Sequence, residues 1–260
     1  MFKQVVSRLF KLGAAMWLIV LVVLPVQAIS LSTFRIYLDS ANSSASFVMS
    51  NREAVAQVCR LNLVHHNFDE MGKMSKVDSA ILPNNSANPW VRFSPKNFTA
   101  APRTSQTVRF SLRRKPDTVA QEYRSYLEVY CDSAEFEAPR TGTGNFSIKP
   151  RLVPNVPIIV RTGKLETQLS MSDFYVEDEK VFFTLNRQGD RSVYGTVELI
   201  NKQNNDVINR RKNISVYTET KKLKLELAND GTPVGQLAVH FVEDKRYGGT
   251  ITYQQDVVLN

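Results

Sequence analysis

The hydrophobic pattern after residue 29 alternates between apolar and polar positions, and no long segment repeats with the 3.6-residue period of an amphipathic helix. Such alternation indicates β-strands with one buried face. In the first half of the chain it predicts strands over residues 33–38, 45–50, 55–64, 107–112 and 122–131. In the second half it predicts strands over residues 173–177, 180–185, 195–200, 222–227, 235–241 and 252–259.

Prolines and polar runs divide this series of strands. Residues 149–157 hold three prolines, which lack the backbone donor and confine a strand to a sheet edge. The prolines of residues 89–102 predict a sheet edge or a strand switch, and residues 71–89 predict a long loop or hairpin. Since the strand pattern restarts after residue 163, we predict two immunoglobulin-like β-sandwich domains, over residues 29–162 and 163–260.

The N-terminus has the composition of a secretory signal peptide. Lys3, Arg8 and Lys11 precede an apolar stretch over residues 14–26, and Ala28 closes a small-residue cleavage site. An uncleaved membrane anchor is the alternative, but the apolar run is short for a span of about 20 residues and contains Pro25. We therefore expect cleavage after Ala28 and an exported mature chain.

Charge and cysteine content narrow the class of protein. The formal net charge is +8, and the three basic residues of the leader account for +3 of it, which leaves +5 on residues 29–260. This modest excess predicts no nucleic-acid partner in an exported protein. The two cysteines, Cys59 and Cys131, both lie in predicted strands, and an isolated pair in an oxidising compartment usually forms one disulfide. Two buried free thiols are the alternative.

Residues for catalysis or metal binding are scarce. The chain contains none of the nucleotide-binding, zinc-protease or nucleophile-elbow motifs. His65 and His66 would point to opposite faces of a strand, so we expect solvated loop residues rather than a metal site. We predict a non-enzymatic protein with no cofactor, no metal and no small-molecule substrate. An exported hydrolase on a β-scaffold has no supporting motif.

Four segments together resemble the PapD-like periplasmic pilus chaperones over nearly the whole mature chain. They are the opening strand over residues 34–38, the second strand with its closing Asn over 45–51, the Pro-aromatic-Pro-Gln segment over 93–109, and the strand end over 157–161. The resemblance implies two immunoglobulin-like domains arranged as an L with a cleft between them. It also implies a periplasmic location, pilus subunits and an outer-membrane usher as partners, and strand donation to incomplete subunits.

The resemblance also implies a donor strand and an anchor for the subunit's terminal carboxylate. Alternate positions from 146 to 160 are mostly apolar, and we expect four of them to enter the subunit groove: Phe146, Ile148, Leu152 and Val156. The alternative is that this face only fills the chain's own core. Arg35 matches the family's first anchor position, whereas Pro157 stands where the second, a lysine, is usual. Arg124 is the replacement candidate for that second anchor, followed by Lys149 and Arg151.

An exported adhesive or structural surface protein built from immunoglobulin-like domains is the alternative function. Such a protein should carry an N-terminal strand for donation or a sorting tail. Residues 29–33 are short for the first, and the pattern ends in a strand, so we favour the chaperone.

Overall fold

The structure, a computed structural model, describes residues 29–77, 82–113, 119–134 and 152–259. The strands of its first half are β1 (Ser30–Leu31), β2 (Ile36–Leu38), β3 (Ser44–Ser50), β4 (Gln57–Val64), β5 (His66–Phe68), β6 (Met74–Lys76), β7 (Val91–Ser94), β8 (Asn97–Ala100), β9 (Ser105–Leu112), β10 (Gln121–Ser133) and β11 (Asn155–Thr162). The second half contains β12 (Thr167–Glu177), β13 (Lys180–Gly189), β14 (Val193–Asn201), β15 (Asp206–Val216), β16 (Lys222–Ala228), β17 (Leu237–Glu243) and β18 (Thr252–Asp256).

Helical structure in the described residues is confined to three short 3-10 turns, Asn88–Trp90, Val234–Gln236 and Lys245–Tyr247. None of them is long or apolar enough to cross a membrane. The all-β prediction is therefore confirmed. The predicted signal peptide, residues 1–28, lies outside the described residues.

The first sandwich consists of a sheet with strand order β1-β3-β9-β7 and a sheet with order β2-β11-β10-β4-β8. Alternate residues of each sheet point inward, as the burial of every second residue in β4 shows. Side chains of both sheets form one core, which includes Phe47, Phe110, Leu61, Leu127 and Ile158. Pro95 stands between β7 and β8, the edge strands of the two sheets, so the predicted strand switch is confirmed.

The second sandwich pairs β12-β13-β16 with β15-β14-β17-β18 around a core that includes Phe183, Leu199 and Phe241. The predicted fold class, two immunoglobulin-like β-sandwiches, is confirmed. Strand β15 was not predicted, because most of its residues are exposed and apolar alternation is weak.

Two further features concern the first sandwich. Cys59 and Cys131 lie opposite each other on β4 and β10 and form the expected disulfide, which links residues 72 positions apart. A cross-link over so long a loop contributes roughly 2–5 kcal/mol to stability. The segment expected to be a loop or hairpin contains strand β6, which pairs with β5 in a separate hairpin.

Candidate functional site

Strand β10 buries both of its faces, and this places charged side chains between the two sandwiches. Its residues 122–127 are all buried. Tyr123, Leu127 and Val129 belong to the first core, whereas Tyr126 packs with Tyr217 of the second sandwich. Glu122 and Arg124 share the register of Tyr126, because side chains alternate along a strand. The interface therefore contains buried ionic groups, and such groups must be paired to be tolerated.

A buried ion pair ties the end of the first sandwich to the second. Arg161 Nε donates to Glu122 Oε2 at 2.8 Å, and Arg161 Nη2 donates to the Ser192 carbonyl at 2.8 Å. The Ser192 amide completes the link by donating to Glu122 Oε2 at 3.1 Å. Arg161 Nη1 donates to the carbonyl of Gly248, whose φ of 71° lies in the left-handed region that favours glycine. Burial alone would lower the pKa of Arg161, but the charge and hydrogen bond of Glu122 outweigh this effect, so the pKa of Arg161 is raised.

Arg124, the expected second anchor, is paired within the chain. Its guanidinium donates to both carboxylate oxygens of Glu219, at 2.7 and 2.9 Å, and to the His66 carbonyl at 3.1 Å. It also lies 4.3 Å from the ring centroid of Tyr217. Burial would raise the pKa of Glu219, but the hydrogen bonds and charge of Arg124 lower it. An external carboxylate would have to displace Glu219, so this arrangement disfavours the anchor role for Arg124.

Arg35 differs from Arg124, Arg161 and Arg191 because no carboxylate pairs with it among the described residues. Its side chain is only 2% exposed. Its terminal nitrogens donate to Ser215 Oγ at 3.3 Å and Ser192 Oγ at 3.4 Å, and its Nε has no partner. The guanidinium lies 4.6 Å from the ring centroid of Tyr194. These groups leave a buried positive charge without a counter-ion, which is costly in the free protein.

The two adjacent histidines are buried, which contradicts the expectation of solvated loop residues. His65 and His66 are 2% and 6% exposed, because the β5–β6 hairpin folds against the second sandwich. In that contact Phe68 packs on Tyr217 at a centroid distance of 4.5 Å. The described residues contain no group of three or more side chains suited to hold a metal.

Strand β11 has an unpaired edge over its first half. It pairs with β10 from Asn155 to Thr162, but with the parallel strand β2 only from Ile158 to Val160. One side of residues 155–157 therefore has no strand partner in the part of the chain that the structure describes. Residue Arg35 directly precedes β2, so its position borders the end of this free edge.

The predicted donor residues and the weaker anchor candidates fall into three groups: one exposed residue, one buried residue and the residues outside the described part of the chain. Leu152 is 76% exposed and lies just before β11. Val156 is 2% exposed and belongs to the chain's own core, so it is not available to another protein in this conformation, contrary to the expectation. Phe146, Ile148 and the weaker anchor candidates Lys149 and Arg151 lie outside the described residues.

Sequence reasoning identified Arg35 and Arg124 but missed their surroundings. They are Ser192 and Ser215 around Arg35 and Tyr217 and Glu219 around Arg124, which come from the second sandwich, about 95 to 180 positions away in the chain. None of them belongs to a recognisable motif. The available signal was the Glu-Tyr-Arg run of β10, in which two charged residues occupy alternate positions of a predicted strand.

Comparison with known proteins gives likenesses in structure alone. No family model matches the chain, and no curated protein matches its sequence. Similar solved structures include the CupB2 chaperone of Pseudomonas aeruginosa, with 12% identity over 87% of this chain and 100% of that one and a TM-score of 0.44. The CsuC–CsuE chaperone–tip adhesion subunit complex of Acinetobacter baumannii has 10% identity, covers 88% of this chain and 98% of that one, and has a TM-score of 0.49.

The class 5 fimbriae chaperone CfaA has 13% identity over 90% of this chain and 100% of that one, with a TM-score of 0.46. At these identities and scores, the likenesses carry no argument about activity or partners.

The Arg124–Glu219 pair predicts unequal losses of stability. Glu219→Gln leaves Arg124, only 2% exposed, as an uncompensated buried charge, and we expect a loss of about 3 kcal/mol. Arg124→Gln leaves Glu219, which is 26% exposed and can be hydrated, so we expect a smaller loss. Urea unfolding measures both free energies. Glu226→Gln, which breaks an exposed pair with Lys180, is the control and should cost about 0.5 kcal/mol. Equal losses for the three variants would contradict this description of the interface.

Stability should decrease as the pH falls through 6.5. Burial lowers the pKa of His65, and Arg124 lowers it further, while burial also lowers the pKa of His66. A folded-state pKa below the unfolded value of about 6.5 means that the unfolded chain binds protons first. The contribution of these histidines is complete above pH 6.5 and is lost below it, by up to about 1.4 kcal/mol per pH unit for each histidine.

The measurement is the urea midpoint at pH 7.5 and pH 5.5. The variant His65→Asn/His66→Asn should show a smaller difference between these two values than the wild type does. An unchanged difference in the double variant would show that other groups carry the pH dependence.

Proposed function

We propose that this protein is a periplasmic chaperone that captures incomplete pilus subunits by lending them a β-strand. The observation that carries the proposal is Arg35, a buried arginine without a counter-ion beside an unpaired strand edge. On this proposal the chain acts without catalysis or cofactor, and it delivers its subunits to an outer-membrane usher.

The free edge of β11 supplies the backbone hydrogen bonds of the interaction. The N–H and C=O groups along such an edge accept an added strand, as in other cases of strand addition. Since β2 occupies the edge only from Ile158 onward, an incoming strand has room beside residues 152–157. Its end would then meet the start of β2, where Arg35 lies.

Arg35 supplies the electrostatic part of the interaction. A guanidinium can hold a carboxylate by two parallel hydrogen bonds. Arg35 is only 2% exposed, but it lines a cavity of about 270 Å³, through which a subunit's terminal carboxylate would reach it and provide the missing counter-ion. Pairing inside a partly buried site is stronger than in water because the local dielectric is low. Ser192 and Ser215 already hold the guanidinium in place, so the anchor is preorganised and loses little side-chain entropy on binding.

The apolar part of the interaction rests on alternate positions before and within β11. Leu152 shares the register of Val156, Ile158 and Val160, but unlike them its side chain lies in solvent. We propose that Leu152, with Phe146 and Ile148 further along the same register, fills the groove of a subunit that lacks its last strand. Burial of one such side chain is worth roughly 1.5–3 kcal/mol.

Replacement of Arg35 tests the anchor. Arg35→Gln should abolish or strongly reduce co-purification of pilus subunits that are co-expressed with this chain. The free variant should lose about 1 kcal/mol, because the guanidinium has no ion pair to lose and gives up ring contacts and two long hydrogen bonds to Ser192 and Ser215. Arg60→Gln, an exposed strand residue, is the matched control and should capture subunits normally. Normal capture by Arg35→Gln would contradict the anchor.

Replacement of Leu152 tests strand donation. Leu152→Asp should abolish subunit capture while the variant stays folded and soluble, because this side chain is exposed in the free protein. Val58→Asp changes another exposed apolar residue of the first sandwich and should leave capture intact. The readout is the ratio of subunit to chaperone after purification. Equal capture by the wild type and the Leu152 variant would contradict the donor assignment.

A further inference from the structure

A second site, outside the proposed function, lies on the flank of the first sandwich. A cavity of about 810 Å³ opens between the edge strand β7, its neighbour β9 and the end of β4. It shares no lining residue with the Arg35 site or with the ion pairs of the interface. The cavity exists because β8 pairs with β4 only as far as Arg60, so the residues that follow on β4 border open space.

The charge of this cavity is entirely positive. Arg92, Lys96, Arg109 and Arg113 line it, and none of the lining residues is acidic. In the part of the chain that the structure describes, the three arginines make no side-chain hydrogen bond or ion pair. Four like charges around one concave surface repel each other and raise the local concentration of anions.

The register of β7 and β9 brings the three arginines together. Arg92 lies opposite Ser111, and Arg109 and Arg113 precede and follow Ser111 by two positions. Diagonal neighbours of this kind are about 7–8 Å apart, within reach of long side chains. The two strands thus present three guanidinium forks and a serine hydroxyl on one exposed face. Guanidinium groups bind phosphate through paired hydrogen bonds.

The inner side of the cavity, on the core-facing side of β7 and β9, is apolar. Phe93 is half-buried and stacks on Phe110 at a centroid distance of 5.5 Å, and Leu63 lies beside them in the lining. Lys96 Nζ is 5.6 Å from the centroid of the Phe93 ring. A ligand that fits has an anionic group for the arginines and an apolar group for this inner side, as most small-molecule sites combine an apolar surface with a few charges.

We propose that this cavity binds a phosphate ester that carries an apolar group, with the phosphate held by Arg92, Arg109 and Arg113. Phosphate suits the site better than a single carboxylate, because its oxygens are arranged tetrahedrally and can accept hydrogen bonds from several cations at once. A monoester adds a third terminal oxygen and up to two charges. Two sources share this chemistry, a phospholipid headgroup and a small soluble ester. The experiment below separates them.

The test uses the whole mature chain and phenyl phosphate as the probe, with binding measured by titration calorimetry. We expect saturable binding that is at least tenfold weaker in Arg92→Gln/Arg109→Gln/Arg113→Gln. The control, Arg211→Gln/Lys222→Gln/Lys224→Gln, removes the same charge from exposed positions of the second sandwich and should bind as the wild type. Far-ultraviolet circular dichroism establishes that both variants are folded.

A parallel arm uses vesicles of phosphatidylglycerol and of phosphatidylcholine. Sedimentation with phosphatidylglycerol alone, lost in the cavity variant and kept in the control, supports the site with a lipid as the source. Phenyl phosphate binding without vesicle binding supports it with a soluble ester as the source. The proposal is overturned by no saturable binding, by equal losses in both variants, or by binding of an acidic peptide (six Glu residues) with no binding of either phosphate probe.

Discussion

The ion pair between Glu122 and Arg161 is the interaction on which the arrangement of the two sandwiches depends. Both side chains belong to adjacent strands of the first sandwich, and both bind the backbone of Ser192 in the second. Charges in such a setting need hydrogen bonds beyond their own pairing to offset desolvation. The backbone groups of Ser192 supply them to Arg161 and to Glu122 Oε2, whereas Glu122 Oε1 has no hydrogen-bond partner. These bonds hold the two sandwiches in one relative position. That position in turn brings Ser192 and Ser215 to Arg35.

Arg35 lacks the carboxylate partner that Arg124, Arg161 and Arg191 each have, and this lack explains its proposed role. In place of a carboxylate, Arg35 has two hydroxyl groups at the limit of hydrogen bonding. Natural proteins place poorly satisfied groups where function requires them. A free carboxylate at this point would complete the pairing that the chain itself leaves incomplete. Binding energy would thus come from a charge that the free protein holds at a disadvantage.

The sequence was sufficient for the fold but insufficient for the site, and particular residues show why. Alternation along β3, β4, β9 and β13 follows directly from one buried face, so these strands could be predicted. Strand β15 could not, because it is mostly exposed and lacks the signal. His65 and His66 are buried only because a hairpin folds onto the other sandwich, which no local pattern records. The same holds for Glu219, which pairs with Arg124 across 95 positions of chain.

The donor strand illustrates the same limit from the opposite direction. Positions 152 and 156 share one apolar register, and the sequence treats them alike. The structure separates them, because Val156 lies in the core between the two sheets of the first sandwich, whereas Leu152 lies outside that core and is exposed. Apolar periodicity identifies a face, but the extent of the opposing sheet decides which part of that face is already covered.

The most direct measurement compares two forms of one peptide, the C-terminal segment of a pilus subunit with a free carboxylate and with a terminal amide. Hydrogen exchange of the backbone amide of Asn155, on the free half of β11, reports strand addition, because the amide of Val156 faces β10 and Pro157 has none. Chaperone function as proposed predicts protection by the carboxylate form, much weaker protection by the amide form, and no difference between the two forms in Arg35→Gln. Equal protection of Asn155 by both forms in the wild type, or no protection of Asn155 by either form, would contradict the proposed function.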